Sequence, residues 1–162
     1  MTASDTPLAA IERSALALAM RQELWLYPAV EIAHITGFVV LVGSIAMLDL
    51  RLLGLSGELA VRQLARHVLP WTLGALLLIV PTGLMMFVAH ASDLIANRAF
   101  QLKLLLIMGA GLNAAMFHMG PFRTVGSWDR GTDTPASAKV HAAASLALWL
   151  GVISCGRLLA YH

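Results

Sequence analysis

Charge is what this sequence has least of. Asp, Glu, Lys and Arg make up only 12% of its 162 residues, where an ordinary soluble domain carries about 25%. A disordered chain needs high charge and little apolar content, so disorder is excluded. The basic excess is equally small. Lys and Arg number 11 against 9 acidic residues, a net charge of +2, far below the footprint that neutralises nucleic-acid phosphates. No nucleic acid is expected as a partner. The single cysteine, Cys155, has no internal disulfide mate and indicates no redox compartment. It reads as a small apolar core residue. No Gly-rich phosphate loop follows a strand, and Ser, Cys and His form no triad on one face. No catalytic residue is therefore assigned, and no self-contained active site is visible. A redox subunit remains open.

What is abundant is apolar surface. The residues Ala, Val, Ile, Leu, Met, Phe, Trp, Tyr and Cys make 59% of the chain, and mean hydropathy is +0.77. A transmembrane helix needs roughly 20 mainly apolar residues to cross about 30 Å of hydrocarbon. Four stretches qualify: 25–48, 70–89, 102–119 and 140–161. The expected fold is an all-α membrane protein, an antiparallel bundle of four transmembrane helices behind an amphipathic interfacial helix. Residues 1–22 form the N-terminal unit and 23–162 the transmembrane domain. Ser4-Asp5-Thr6-Pro7 is a helix start, a capping side chain followed by proline. Leu8, Ile11, Ala15, Leu18 and Ala19 then recur at helical spacing, which predicts one amphipathic helix over 7–22 lying at the interface. Trp25 and Tyr27 suit an aromatic belt. Residues 51–69 read as a short surface helix, 120–138 as an irregular solvated loop, and the short 90–101 connection favours spans packing in sequence order.

The N-terminal face is side A and the opposite face side B. Side B carries Arg51, Arg62, Arg66, Arg123, Arg130 and Lys139. Side A carries Arg13, Arg21 and Arg98 in its loops, with Lys103 and Arg157 at or within span ends. The positive-inside rule puts side B in the cytoplasm and both termini outside.

Ionisable residues at membrane depth are costly and mark functional positions by default. Glu31 and His34 stand three apart on one face of the first span. Rise per residue places His34 roughly 14 Å, Glu31 roughly 9 Å and Arg157 roughly 6 Å from side A. Glu31 and Arg157 are thus within range of a pair that would lock helices. Asn113 comes out roughly 17 Å deep, which predicts a His34–Asn113 neighbourhood in the core. His118, His141 and His67 come from three segments and converge on side B, where imidazoles can hold haem iron or another metal. Each is equally at home as an interfacial histidine, and the metal, if any, is unknown.

Several local patterns carry a resemblance. They are Trp25-Leu26-Tyr27-Pro28, the Glu31-Ile32-Ala33-His34 face, the run from Leu48-Asp49-Leu50-Arg51 to Gly54, and Leu69-Pro70-Trp71. Residues 97–103, Asn113 with Phe117-His118, and Gly156-Arg157 complete them. Over residues 20–161 the chain resembles a family of small bacterial four-helix inner-membrane proteins of unknown function. That implies a multi-pass protein of the bacterial inner membrane, with both termini periplasmic. More loosely it is similar to copper-resistance D-type proteins and small cytochrome b-type subunits. The looser likeness implies haem b and electron transfer with quinone, carried by His34 and His118, then His141 and His67. The departure from that pattern is that His34 and His118 do not share a depth.

The leading reading is a small subunit or accessory component of a membrane complex, with Glu31, Asn113 and Arg157 as its polar core. Its partners are the lipid bilayer and other membrane subunits or a second copy of the chain. The alternative is a haem b- or metal-binding electron-transfer protein. A second alternative is a small metal or solute permease, with a polar path from Glu31 through His34 and Asn113 to side B.

Overall fold

The computed structural model describes residues 7–131 and 133–159. Ser4, Asp5 and Thr6 of the expected helix cap, and Tyr161 at the expected end of the fourth span, lie outside the described residues. The elements are α1 (Pro7–Glu12), α2 (Ala15–Gln22), α3 (Leu26–Leu52), α4 (Val61–Ala89), α5 (Ala91–Ala96), α6 (Arg98–Met119), a 3-10 helix (Pro121–Ser127) and α7 (Ala136–Leu158). Four of them, α3, α4, α6 and α7, are long and apolar enough to cross a membrane. The shortest has 22 residues, about 33 Å of helix against about 30 Å of hydrocarbon. The protein is a multi-pass membrane protein, and its outward leucines, isoleucines and valines face lipid.

Packing order differs from chain order. α3 pairs with α4, α6 pairs with α7, and α3 against α7 joins the two hairpins. Phe38 meets Trp149 edge to face across that α3–α7 seam, with ring centroids 5.9 Å apart. The row is therefore α4–α3–α7–α6. The outer helices α4 and α6 meet at side A, where Phe87 stacks on Phe100 at 5.9 Å. Further toward side B they do not pack as a pair. The expectation that consecutive spans pack in order thus fails between α4 and α6. Gly37 sets the tightness of the α3–α4 pair. A methyl carbon there would stand 2.9 Å from Cγ1 of Ile79, so only glycine allows this approach.

Two expected elements are redrawn. The single helix over 7–22 is two helices, because Ser14 caps α2: its hydroxyl accepts from the Ala17 N–H at 3.2 Å. The break folds the arm back on itself. Arg21 donates to the carbonyls of Glu12 and of Ala89, at the C-terminal end of α4, where a cation is favoured. Glu12 in turn accepts from the Ser92 N–H at 2.7 Å. The second change is at Pro70. It neither starts a span nor ends a surface helix, for α4 runs through it from Val61. Val61, Ala65 and Val68 fall on one face and are buried. Burial of that face outweighs the one backbone bond that the proline ring removes.

The side B end is closed by a knot of loops around Arg51. Its side chain is 2% exposed. Nε donates to the Leu59 carbonyl at 2.6 Å, and Nη2 to the carbonyls of Gly57 at 2.9 Å and Asp129 at 3.3 Å. Nη1 reaches the Thr134 hydroxyl at 3.5 Å. Asp129 also starts α4. Ala60 has no capping side chain, and the Val61 and Arg62 N–H groups go instead to the Asp129 carbonyl and Oδ1, at 3.0 and 2.7 Å. The 120–138 segment is consequently not a solvated loop throughout. Val125 and Trp128 are buried with Leu52, Val61, Phe117, Ala138 and Ala142.

Two outcomes follow from these contacts. Arg51→Ala should cost about 3 kcal/mol or more, since bonds from a charged donor are worth about 1.5–3 kcal/mol each. For a chain of this size that lowers the melting midpoint in detergent by about 6–12 °C; a midpoint within about 2 °C of the parent would contradict the role given to Arg51. The second concerns Glu12. The Ser92 N–H, with a smaller contribution from Arg21, holds its carboxyl below the ordinary value of 4.5. A depressed folded-state pKa stabilises above that ordinary value, and the contribution disappears as pH falls through the lowered one. Hydrogen-exchange protection of the Ser92 amide should fall as pH is lowered below about 4.5 and show no such step in Glu12→Gln. A pH-independent protection in the parent protein would count against the clamp.

Candidate functional site

Because α4 and α6 touch at side A and part toward side B, the bundle holds a wedge-shaped slot of about 640 Å³. Its walls come from the side B halves of α4 and α6, and its floor from α3 and α7. As α4 and α6 are the two ends of the helix row, the gap between them opens on the outer surface of the bundle. The volume falls within the usual range of about 300–1,000 Å³ for small-molecule sites. Leu41, Ile45, Leu76, Ile107 and Trp149 make the deep part apolar.

Polar groups gather at the side B end. Asn113 and His141 lock α6 to α7. The Asn113 amide donates to the His141 carbonyl at 2.9 Å, and its Oδ1 lies 2.8 Å from His141 Nδ1. An amide oxygen only accepts, so Nδ1 carries a proton, and in the neutral ring Nε2 keeps its lone pair. Asp49 forms part of the floor. It is 6% exposed, the Ser145 hydroxyl of α7 is its neighbour, and Oδ2 is buried with no hydrogen-bond partner. Arg62, Arg66 and Arg123 line the rim. Neither the Arg66 nor the Arg123 guanidinium has a partner among the described residues, so both are available to a ligand.

The expected site residues are divided by this geometry. His118 and His141 both line the slot and both lie against the Phe117 ring, at 5.4 and 6.2 Å between centroids. His67 is exposed on α4 and is not part of the lining. Of the three side B histidines, two thus line the slot. Among the described residues no three His, Cys, Asp or Glu side chains are grouped to hold a metal.

His34 belongs elsewhere. Its Nδ1 lies 3.0 Å from the Thr82 hydroxyl of α4, not beside Asn113. Thr82 donates to the Leu78 carbonyl at 2.6 Å, so its oxygen accepts the His34 Nδ1–H. The ring lies over Gly83, where a methyl carbon would come within 3.1 Å of Cε1. The expected His34–Asn113 neighbourhood fails because α6 starts at Arg98 rather than 102. That moves Asn113 about one turn, roughly 6 Å, further from side A. Of the residues on the polar path expected for a permease, the slot includes Asn113 but neither Glu31 nor His34. Glu31 and Arg157 are exposed on α3 and α7.

Asp49 is the residue that sequence reasoning passed over, reading it as a charge at the end of a span. A signal was present. Leu41, Ile45, Asp49 and Leu52 fall at i, i+4, i+8 and i+11, so the aspartate sits on the apolar face that packs inward. The rim arginines were counted for orientation only, because their convergence depends on the helix row.

A family model described as a family of unknown function (DUF6644) matches residues 26–162. No curated protein and no solved structure matches the chain.

The Asn113–His141 lock yields a direct test. Asn113→Leu leaves the half-buried His141 Nδ1–H unpaired, at a cost of about 1–3 kcal/mol. Nitrogen-15 NMR of the imidazole should show the Nδ1–H tautomer in the parent protein and lose that preference in the variant. An unchanged tautomer would show that Asn113 does not set it.

Proposed function

The chain belongs to this family of unknown function, and from that premise we propose that it is a small accessory protein of the bacterial inner membrane that takes one amphiphile with a phosphate or carboxylate in its head group from the bilayer into the α4–α6 slot. The observation that carries this is the slot itself: apolar in depth, open between the two outer helices, and rimmed by Arg62, Arg66 and Arg123. An apolar cavity open to lipid admits an acyl chain at little cost, because a lipid tail is as apolar as leucine. Tails alone do not discriminate. Guanidinium groups at the rim do, since they recognise phosphate or carboxylate with charge-assisted, forked hydrogen bonds. The positive-inside rule places this rim at the cytoplasmic leaflet and both termini in the periplasm. The unmatched face between α4 and α6 also suits a role beside other membrane subunits or a second copy of the chain.

Haem b is the second reading, and one observation favours it: His141 presents a free Nε2 to the slot, oriented by Asn113 as a metal-bound imidazole is oriented by its outer partner. Against it, His118 and His141 both come from the α6–α7 pair, and α3 and α4 lend the slot no histidine. A haem held by two histidines would therefore have to be held from the α6–α7 pair alone.

Native mass spectrometry of protein purified in mild detergent separates these readings. The expected result is a retained phospholipid. Retention should fall about tenfold or more in the Arg66→Gln, Arg123→Gln double variant, at about 1.5–3 kcal/mol per charged contact. Ala114→Phe, which fills the slot, should abolish it. A Soret band that shifts on reduction, or lipid retention indifferent to all three substitutions, would overturn the proposal.

A further inference from the structure

The floor of the slot carries a group that the rim arginines do not explain. Asp49 is more than nine-tenths buried and lines the slot, yet its Oδ2 receives no hydrogen bond. A buried carboxylate oxygen left unpaired is among the costlier arrangements in a protein. The rim arginines aside, several of the chain's own donors are engaged elsewhere. Arg51, two residues on, spends its guanidinium on the carbonyls of Gly57, Leu59 and Asp129. The Ser145 hydroxyl is a neighbour of the carboxyl group, yet it makes no hydrogen bond to Oδ2. The Asn113 amide serves the His141 carbonyl, and His141 Nδ1–H serves Asn113. His141 Nε2, the remaining nitrogen of that ring, is an acceptor like Asp49 itself. A carboxylate at this position can only accept.

The slot therefore offers cations for an anion at its rim and bare acceptors beneath them. Resting on the reading of the slot as a lipid site, we propose that it selects phospholipids whose head group carries an N–H donor next to the phosphate, with Asp49 as the selecting residue. The phosphate meets the arginines and a primary ammonium meets Asp49 Oδ2. Phosphoethanolamine has that pair of groups. Phosphocholine has the same charges but no N–H, because its nitrogen bears three methyl groups. The ammonium supplies the donor that Oδ2 lacks, and a quaternary nitrogen cannot.

The test is competition, read by native mass spectrometry, among lipids with identical acyl chains and a stepwise methylated head: phosphoethanolamine, its monomethyl and dimethyl forms, and phosphocholine. The wild-type protein should hold the first three to a similar degree, since each keeps at least one N–H. It should hold the trimethylated lipid about tenfold less. In Asp49→Asn the step should shrink to about twofold or less. Equal retention of all four by the wild type would overturn the selection while leaving the slot as a lipid site. A gradual decline with each methyl would overturn it as well, by pointing to bulk rather than the donor. Retention of none of them would remove the lipid reading beneath it. The wild-type series stands by itself if the Asp49 variant does not fold.

Discussion

The side B architecture depends on one buried guanidinium. Arg51 gathers the carbonyls of Gly57, Leu59 and Asp129 and the hydroxyl of Thr134, and so ties the α3–α4 turn to the segment that leads into α7. Asp129, held in this way, supplies the bonds that start α4. The 3-10 helix that precedes it packs Val125 against Leu52 and Phe117. A chain of contacts thus runs from one side chain to the first turn of α4, the last turn of α6 and the start of α7. These are the ends that must stand apart for the slot to exist. At side A the opposite holds: Phe87 stacks on Phe100, the N-terminal arm is clamped on Ala89 and Ser92, and the wedge closes. One end is pinned shut and the other is propped open.

This division also explains why the polar residues of the spans do different work. His34 satisfies itself on Thr82 and reads as a link between α3 and α4. Asn113 and His141 satisfy each other and fix α6 to α7. Each hairpin has its own polar lock, and the two hairpins meet through Phe38 and Trp149. Asp49 is the exception. It has the burial of a structural group, yet its Oδ2 has no bond, and it lines the slot between the hairpins.

How much of this was legible beforehand follows from what local sequence can encode. The four spans were readable because each is a long apolar run, a property of the segment itself. The helix pair at the N-terminus was misread as one helix because Leu8 to Ala19 keep helical spacing across Ser14, and the cap prevailed over the periodicity. Pro70 was read as a boundary, which proline usually is; the buried face of Val61, Ala65 and Val68 carried the helix through it. Depth estimates paired His34 with Asn113 since they rested on span ends that were four residues out at α6. The slot was not legible at all. It arises from the order α4–α3–α7–α6, and helix order depends on contacts such as Phe38–Trp149 that no single span reveals.

The central claim is that a bilayer lipid enters between α4 and α6, and contact between acyl chains and the slot floor tests it most directly. Leu41 is 3% exposed and lines the slot, whereas Leu77 is 79% exposed on the outer face of α4. With methyl-labelled, otherwise deuterated protein in nanodiscs of protonated lipid, nuclear Overhauser effects should connect acyl-chain protons to the methyls of both leucines. Contacts confined to Leu77 and other outward methyls, with Leu41 dark, would mean that the slot stays closed to the bilayer.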